Sequence, residues 1–311
     1  MTKIFIDGRE GTTGLRIYDR LASRDDIELI ILKDEDRKNP EKRKEAINSS
    51  DISFLCLPDA AAIEAESMCD NPNTVIIETS TAHRTTEGWA YGFPEIDDEH
   101  MQAIKDSKRI AVPGCHASGY VALVYPLVKA GVLAKEALLT CHSITGYSGG
   151  GKKMIAEYEG EERSELLDAP RQYGLTQQHK HLKEMKALTG IAPVFSPIVS
   201  DFYSGMVMTV PLFKEQLVQG KTVEDIKEVY KNLYTSDIVK YSDNITDNEA
   251  GAFISGAGMS GKDSMKVSVL GNEDRIILVA QYDNLGKGAS GAALQCLNIK
   301  MGADEKKGLE L

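Results

Sequence analysis

The chain has 311 residues, 42% of them hydrophobic and 27% charged, which is typical of a soluble globular protein with one or two full domains. Its formal net charge is −11 at pH 7, so we expect no nucleic-acid partner. The N-terminus has no signal-peptide pattern, and no apolar run approaches the roughly 20 residues that span a bilayer. These properties predict a cytoplasmic protein without a membrane partner.

Residues 1–114 alternate between short apolar runs and segments with helical character. Four runs are predicted to be strands: KIFIDG, IELIILKDE, DISFLCLPD and TVIIETST. Buried strands that alternate with helices indicate a parallel sheet covered on both faces. We therefore predict a Rossmann-type, doubly wound α/β domain that binds a dinucleotide.

A glycine turn joins the first strand to the first helix. Glycines allow a tight turn and a close approach of the backbone to a pyrophosphate, and the helix N-terminus supplies free N–H groups. The spacing differs from the common G-x-G-x-x-G, and a turn without a ligand is the alternative. The candidate cofactor-binding residues of this turn are Gly8, Arg9, Gly11, Thr12, Thr13 and Gly14.

The end of the second predicted strand, LKDEDRKN, carries charges of both signs. An acidic residue at this point favours the ribose hydroxyl of NAD, whereas basic residues favour the 2′-phosphate of NADP. Lys33, Arg37 and Lys38 could bind the phosphate, and Asp34 could bind the ribose. The residues alone leave NAD, NADP and a solvated loop open.

A second region, residues 115–286, contains longer strand-like runs: ALLTCHSITGYSG, GMVMTVPLF, SMKVSVLGN and DRIILVAQYDN. This pattern favours an α+β catalytic domain with a mostly antiparallel sheet. An exposed face of that sheet would suit a homo-oligomer, either a dimer or a tetramer. The apolar helix within 287–311 is expected to return to the first domain and complete it.

Cys115 is the candidate nucleophile. The five cysteines show no disulfide framework and no metal-binding spacing, so no metal is expected. Cys115 follows Pro113-Gly114 at a predicted helix N-terminus, where the helix dipole stabilises a thiolate. A thiolate beside a nicotinamide suits interconversion of an aldehyde and an acyl derivative, because a thioester accepts hydride. Three other cysteines lie in apolar patterns and are predicted to be inert: Cys56, Cys141 and Cys296.

Such chemistry also needs a group that moves a proton. His179 and His181 form an H-x-H pair and are the candidates, with His179 slightly preferred. Two solvated histidines are the alternative. His116 is interpreted as a residue of the first helical turn, and His142 as a residue of the core.

The run SITGYSGGGKK is a candidate anion site, because successive glycine N–H groups can surround a phosphate beside a lysine. A phosphate leaving group would contact Ser148, Gly149 and Lys152. A flexible glycine loop without a ligand is the alternative.

Together these segments resemble the N-acetyl-gamma-glutamyl-phosphate reductases, and specifically their shorter, type 2 form. The resemblance spans essentially the whole chain. It rests on GREGTTGL, TSTAHR, YGFPE, VPGCHASGY, SITGYSGGGK, HKHLKE and NLGKGASGAALQCLN. The longer form of the family usually has Asn before the proline and Tyr after the cysteine, where this chain has Val112 and His116. His83 replaces an acidic residue of the longer form, which leaves its role open.

The resemblance implies NADPH-dependent reduction of N-acetyl-L-glutamyl 5-phosphate to the 5-semialdehyde, with release of phosphate, in arginine biosynthesis. It implies that Cys115 forms a thioacyl-enzyme and that the H-x-H pair supplies the general acid/base. It places four residues on the substrate side, Ser80, Arg84, Tyr91 and Glu95, and two near the cofactor, Asn284 and Lys287.

Two other classes of function stay open at this point. An enzyme similar to aspartate-semialdehyde dehydrogenase, or one that reduces the aminoadipate analogue, would share the cysteine and the cofactor. An NADP-binding sensor on the same fold would need no reactive thiol.

Overall fold

A computed structural model gives the architecture of residues 1–247 and 253–311. The chain divides into two units. The first unit holds Met1–Pro94, Asp98–Gly114 and Ala289–Leu309, and the second holds Glu95–Asp97, Cys115–Gly288 and Glu310–Leu311.

Six strands form the sheet of the first unit: β1 Thr2–Asp7, β2 Ile27–Ile30, β3 Ile52–Leu55, β4 Val75–Glu78, β5 Ala90–Tyr91 and β6 Arg109–Ala111. They lie in the order β2-β1-β3-β4-β6-β5, and each of these neighbours pairs in parallel. The predicted parallel sheet is therefore confirmed. The second strand is shorter than its sequence pattern indicates, because β2 ends at Ile30 and the charged residues after it form a loop.

The helices that connect these strands are α1 Thr12–Leu21, α2 Pro40–Ser49, α3 Asp59–Ser67 and α4 Asp98–Asp106. Successive side chains of a strand point to opposite faces of the sheet. Ile4 and Ile6 of β1 accordingly share one core cluster with Ile17 of α1. Phe5 shares the opposite cluster with Ile47 of α2. Burial on both faces explains why the strands read as continuous apolar runs.

The second unit contains the helices α5 Cys115–Lys129, α6 Gly151–Glu159, α7 His181–Thr189 and α8 Val223–Leu233. Its seven strands are β7 Thr140–Gly146, β8 Arg171–Gln172, β9 Val194–Ser200, β10 Met206–Phe213, β11 Val239–Tyr241, β12 Met265–Gly271 and β13 Arg275–Tyr282. Their order is β11-β12-β13-β10-β7-β9-β8. The pairs β11–β12 and β7–β9 are parallel, and the other neighbours are antiparallel. The predicted mostly antiparallel sheet is confirmed.

The last helix, α9 Gly291–Met301, follows a π-helical turn over Gly286–Ser290 and belongs to the first unit. Leu294 and Leu297 of α9 lie in the same core cluster as Ile4. Across residues 1–247 and 253–311, no helix is both long and apolar enough to cross a membrane.

Strand β9 was not predicted from the sequence. Its run VFSPIVS contains Pro197, and a proline argues against a strand in the middle of a sheet because it has no N–H to donate. The strand nevertheless pairs with β7 along its whole length, and the Pro197 carbonyl oxygen accepts a hydrogen bond from the Tyr173 amide at 3.0 Å.

Candidate active site

The glycine turn lies between β1 and α1 in the first unit. Gly8 has a φ of +82°, and a Cβ at this position would overlap the carbonyl of Cys56. A Cβ on Gly14 would overlap the carbonyl oxygen of Gly8, so both positions require glycine. Gly11 precedes α1 without a side chain to cap it. The N–H groups of Thr12 and Thr13 in the first helical turn therefore suit an anionic ligand.

A cavity of about 550 Å³ lies beside this turn, a size that suits part of a dinucleotide. Arg37 lies at the cavity and forms ion pairs with Glu10 at 2.7 Å and Asp34 at 3.5 Å. The guanidinium of Arg9 stacks 4.9 Å from the ring centre of Tyr18. The charged residues that line the cavity are Asp7, Arg9, Glu10, Asp34, Glu35, Arg37, Lys38 and Arg43.

These features fit the adenosine half of NADP. The apolar wall formed by β1 and β2 suits an adenine ring, and the cations suit a 2′-phosphate. Lys33, the other basic candidate, is exposed and is not among the residues that line the cavity.

Cys115 is the first residue of α5 in the second unit and is half-buried. The Tyr282 hydroxyl donates a hydrogen bond to the Cys115 carbonyl oxygen at 2.6 Å and accepts one from the Gly119 amide at 3.2 Å. Gly288 also packs closely, since a Cβ on it would lie 3.0 Å from the Cβ of Cys115. The helix N-terminus therefore holds the cysteine backbone in a fixed position, where the dipole favours negative charge.

His116 is buried behind the cysteine and has a hydrogen-bond partner at each ring nitrogen. Its Nδ1 lies 2.8 Å from the Ser143 Oγ, and its Nε2 lies 2.6 Å from the Tyr173 hydroxyl. Burial, followed by repulsion from His179, lowers the pKa of His116 to about 3. The His116 side chain is thus neutral and hydrogen-bonded at both ring nitrogens. Its position beside Cys115 in the sequence did not reveal these contacts.

The H-x-H pair lies at the start of α7, beside His116. The ring centres of His179 and His181 are 4.8 Å apart, and they lie 5.4 and 5.5 Å from that of His116. The backbone N–H of His181 donates to the Nδ1 of His179 at 3.2 Å. Burial, followed by the charge of Lys180, lowers the pKa of His179 to about 4. His181 is buried, so the alternative of two solvated histidines is wrong for this residue.

The glycine-rich run forms a 3-10 turn over Tyr147–Gly150, and Gly151, the first residue of α6, has a φ of +69°. Ser148 and Gly149 lie in a 3-10 turn that leads directly into α6, and the exposed Lys152 lies in the first turn of that helix. The Asn284 side chain donates to the Ser148 Oγ at 3.0 Å and accepts from the Gly205 amide at 2.8 Å. Asn284 therefore fixes the serine at the N-terminal side of α6.

The TSTAHR segment follows β4 in the first unit. The Ser80 hydroxyl donates to the buried carboxylate of Glu78. Arg84 is buried, and its guanidinium donates to the carbonyl oxygens of Thr79 at 2.9 Å and Val112 at 2.8 Å. Ser80 and Arg84, the two candidate substrate residues, thus also stabilise the loop that carries them.

Two other candidates implied by the resemblance form an ion pair within the second unit. The Lys287 ammonium lies 2.8 Å from each carboxylate oxygen of Glu95, and the lysine is almost completely buried. Tyr91 is buried in β5 of the first unit.

His142 lies on the exposed side of β7, so its assignment to the core is wrong. Burial raises the pKa of the Cys56 thiol to about 12 and raises that of Cys141 as well. Cys296 is also buried. These three thiols have the environment predicted for inert cysteines.

Comparison with known proteins gives the family. The NAD binding domain of the semialdehyde dehydrogenases matches residues 3–104, and their dimerisation domain matches residues 115–284. The N-acetyl-gamma-glutamyl-phosphate reductase of Rhizobium meliloti (strain 1021) is 44% identical over 307 residues, which cover 97% of this chain and 99% of that protein. The chain belongs to the N-acetyl-gamma-glutamyl-phosphate reductase family. The N-acetyl-gamma-glutamyl-phosphate reductase 2 of Nostoc sp. is 40% identical over 319 residues, covering 99% of both chains.

Solved structures show the fold that this N-acetyl-gamma-glutamyl-phosphate reductase family member shares with aspartate semialdehyde dehydrogenases. The enzyme of Francisella tularensis has a TM-score of 0.72 at 14% identity, covering 96% of this chain and 99% of that one. The enzyme of Candida albicans, solved with NADP, has a TM-score of 0.66 at 15% identity, covering 96% and 98%. The predicted fold class, a Rossmann-type domain followed by an α+β domain, is confirmed.

Proposed function

We propose that the protein reduces N-acetyl-L-glutamyl 5-phosphate to N-acetyl-L-glutamate 5-semialdehyde, oxidising NADPH and releasing phosphate. The observation that carries this proposal is the position of Cys115 at the N-terminus of α5, in a chain that is 44% identical to an N-acetyl-gamma-glutamyl-phosphate reductase. Three histidines lie beside this helix N-terminus in the same unit, as cysteine-based acyl transfer requires: His116, His179 and His181.

The cofactor is NADP(H), held by the first unit. The N–H groups at the start of α1 bind the pyrophosphate, and Gly8, Gly11 and Gly14 keep that approach open. Arg9 and Arg37 bind the 2′-phosphate in the adjacent cavity. When bound, NADPH supplies the hydride that takes the acyl carbon from the thioester to the aldehyde oxidation level.

The Cys115 thiolate begins the reaction. Its sulfur forms a bond to the acyl carbon while the bond from that carbon to the phosphate oxygen breaks, and phosphate leaves with the electron pair. The N–H groups at the start of α6, with Ser148, Gly149 and Lys152, bind this leaving group. The product of the step is a thioacyl-enzyme.

We assign the proton transfer to His181 and a hydrogen-bonding role to His179. The Nδ1 of His179 accepts the His181 backbone N–H, so the neutral His179 ring carries its own proton on Nε2. That nitrogen can donate a hydrogen bond to the acyl oxygen, but it cannot accept a proton. His181 therefore delivers the proton to the reduced intermediate and removes it as the carbon–sulfur bond breaks, which returns the electron pair to Cys115.

The protein acts in the cytoplasm as a homo-oligomer. One face of the second sheet exposes apolar side chains on four of its strands: Ile144, Val194, Phe213 and Ile277. Light scattering coupled to size exclusion measures the assembly, and an Ile277→Lys variant should shift it towards the monomer.

Reverse-direction turnover tests the proposed reaction. N-acetylglutamate semialdehyde, phosphate and NADP⁺ are supplied, and the appearance of reduced cofactor is followed. Aspartate semialdehyde, the aminoadipate analogue and NAD⁺ serve as controls. Phosphate-dependent reduction with the acetylated glutamate substrate alone would support the proposal. Turnover of aspartate semialdehyde or the longer analogue instead would replace the substrate, and NADP⁺ binding without any turnover would favour a sensor.

A further inference from the structure

His83 lies in the TSTAHR segment, and neither the family resemblance nor the proposed mechanism gives it a role. Its Nδ1 lies 2.6 Å from one carboxylate oxygen of Glu78, and the other oxygen accepts the Ser80 hydroxyl. Glu78 is fully buried. An ionised carboxylate only accepts hydrogen bonds, so the His83 Nδ1 carries a proton.

The second ring nitrogen of His83 is available to a ligand. The ring stacks on Trp89 with the ring centres 4.2 Å apart and the planes 4° from parallel. The side chain is 13% exposed, and within residues 1–247 and 253–311 its Nε2 has no hydrogen-bond partner. Glu78 therefore holds the imidazole at Nδ1 and Trp89 holds it on one face, while Nε2 stays accessible to a ligand.

Several hydrogen bonds hold the loop that carries His83. The amide and hydroxyl of Thr81 both donate to the Asp59 carboxylate, at 2.9 and 2.5 Å. The Ala82 amide donates to the Ser80 Oγ at 3.0 Å, and Arg84 binds two backbone carbonyls. Such a loop fixes the imidazole before a ligand arrives, which lowers the entropic cost of binding.

The order of the strands indicates which ligand His83 meets. In open parallel sheets, ligands bind at the carboxyl ends of the strands, and the TSTAHR segment follows the carboxyl end of β4. The cavity for the adenosine half adjoins β1 and β2, and the glycine turn follows β1. Strand β4 lies two positions from β1 in the sheet, which is about 10 Å, and it is on the side of β1 away from β2. A dinucleotide that crosses the glycine turn thus brings its nicotinamide half towards β4.

We propose that the His83 Nε2 binds the nicotinamide nucleotide half of the cofactor through a hydrogen bond with one of its polar groups. The hydrogen bond between Nδ1 and the Glu78 carboxylate fixes the ring and leaves Nε2 to the ligand. Glu78 is a positioning residue that acts through His83. The inference rests on the proposed use of NADP(H).

The test compares two ligands by isothermal titration calorimetry of the full-length protein. NADP⁺ contains the nicotinamide nucleotide, whereas 2′,5′-ADP lacks it and occupies only the adenosine half. His83→Ala should weaken NADP⁺ binding on the order of 10-fold, as expected for loss of one hydrogen bond, and leave 2′,5′-ADP within about 2-fold. His83→Gln, whose amide can donate or accept a hydrogen bond in place of Nε2, should recover part of the loss. Arg37→Ala is the matched control and should weaken both ligands.

An equal loss of both ligands in His83→Ala would overturn the proposal, because it would show that the histidine only maintains the loop. Unchanged NADP⁺ binding would also overturn it. Energy transfer from Trp89, the only tryptophan in the sequence, to the reduced nicotinamide gives a second measurement in the wild type. It reports whether the nicotinamide half binds near this loop. These measurements need binding alone, so a failure of the proposed substrate would be seen separately, as absent turnover by a protein that still binds NADP⁺.

Discussion

Replacement of Tyr282 by Phe tests how the structure positions the candidate nucleophile. The Tyr282 hydroxyl bridges the first turn of α5, donating to the Cys115 carbonyl oxygen at 2.6 Å and accepting from the Gly119 amide at 3.2 Å. A Cβ on Gly119 would lie 2.5 Å from this hydroxyl, so the turn is built around it. Burial raises the pKa of Tyr282 well above its usual range, which keeps the donor protonated.

The expected effect follows from the two hydrogen bonds. Each contributes about 1 kcal/mol net, so Tyr282→Phe should lower the free energy of unfolding by about 2 kcal/mol, or less if α5 tightens its own first turn. A shift of the Cys115 backbone should also lower kcat, on the order of 10-fold for a loss of about 1.4 kcal/mol in transition-state stabilisation. Urea unfolding measures the first effect. Steady-state kinetics and the iodoacetamide alkylation rate of the Cys115 peptide measure the second.

Tyr234→Phe provides the matched control. The Tyr234 hydroxyl donates to the Ala122 carbonyl oxygen of the same helix at 2.7 Å, farther from Cys115. This variant should lose about 1 kcal/mol of stability and keep the wild-type alkylation rate. If both variants lose stability while neither changes alkylation or kcat, the reasoning about Cys115 is refuted.

Three further predictions concern the nucleophile, the cofactor and pH. Cys115→Ser should abolish turnover and leave NADPH binding unchanged in a fluorescence titration; substantial residual turnover would rule out the thioacyl route. Arg37→Ala should raise the KM for NADP⁺ by 10-fold or more and change the KM for NAD⁺ little. An equal change for both cofactors would show that Arg37 does not bind the 2′-phosphate. The pKa of His116 falls from an ordinary 6.5 to about 3 on folding, so its stabilising contribution is complete above pH 6.5 and is lost as pH falls through the acid range. Urea unfolding at pH 7 and pH 5 should therefore show a loss that is about 2 kcal/mol larger in the wild type than in His116→Gln, and identical losses would contradict the assignment.

The features that sequence reasoning found are local. Pro113-Gly114 before a long apolar run indicates a helix that begins at Cys115, and both the cysteine and the helix start are contiguous in the chain. The alternation of apolar runs with helices likewise indicates a parallel sheet, because each strand and its covering helix are neighbours in sequence. Such features can be predicted because no distant residue needs to be known.

The features that it missed depend on distant residues. Tyr173 lies 57 residues from its partner His116, and Tyr282 lies 167 residues from Cys115. Neither tyrosine belongs to a recognisable motif, so only the fold brings each to its partner. The mixed charges after β2 show the same limit, since the sequence offers Lys33 and Arg37 equally and the fold sets Arg37 alone of the two beside the cavity.

The electrostatic character of the site follows from these distant contacts. Burial keeps His116 and His179 uncharged at neutral pH, with pKa values of about 3 and about 4. Neither histidine can therefore form the imidazolium of a thiolate–imidazolium pair, the arrangement that activates papain-like cysteine proteases. The N-terminus of α5 instead provides positive potential at the Cys115 sulfur without a titrating partner. In the proposed mechanism, a neutral donor such as the His179 Nε2–H would stabilise an oxyanion without adding a proton to the thiolate, which suits a cysteine that leaves again as a thiolate when the aldehyde is released.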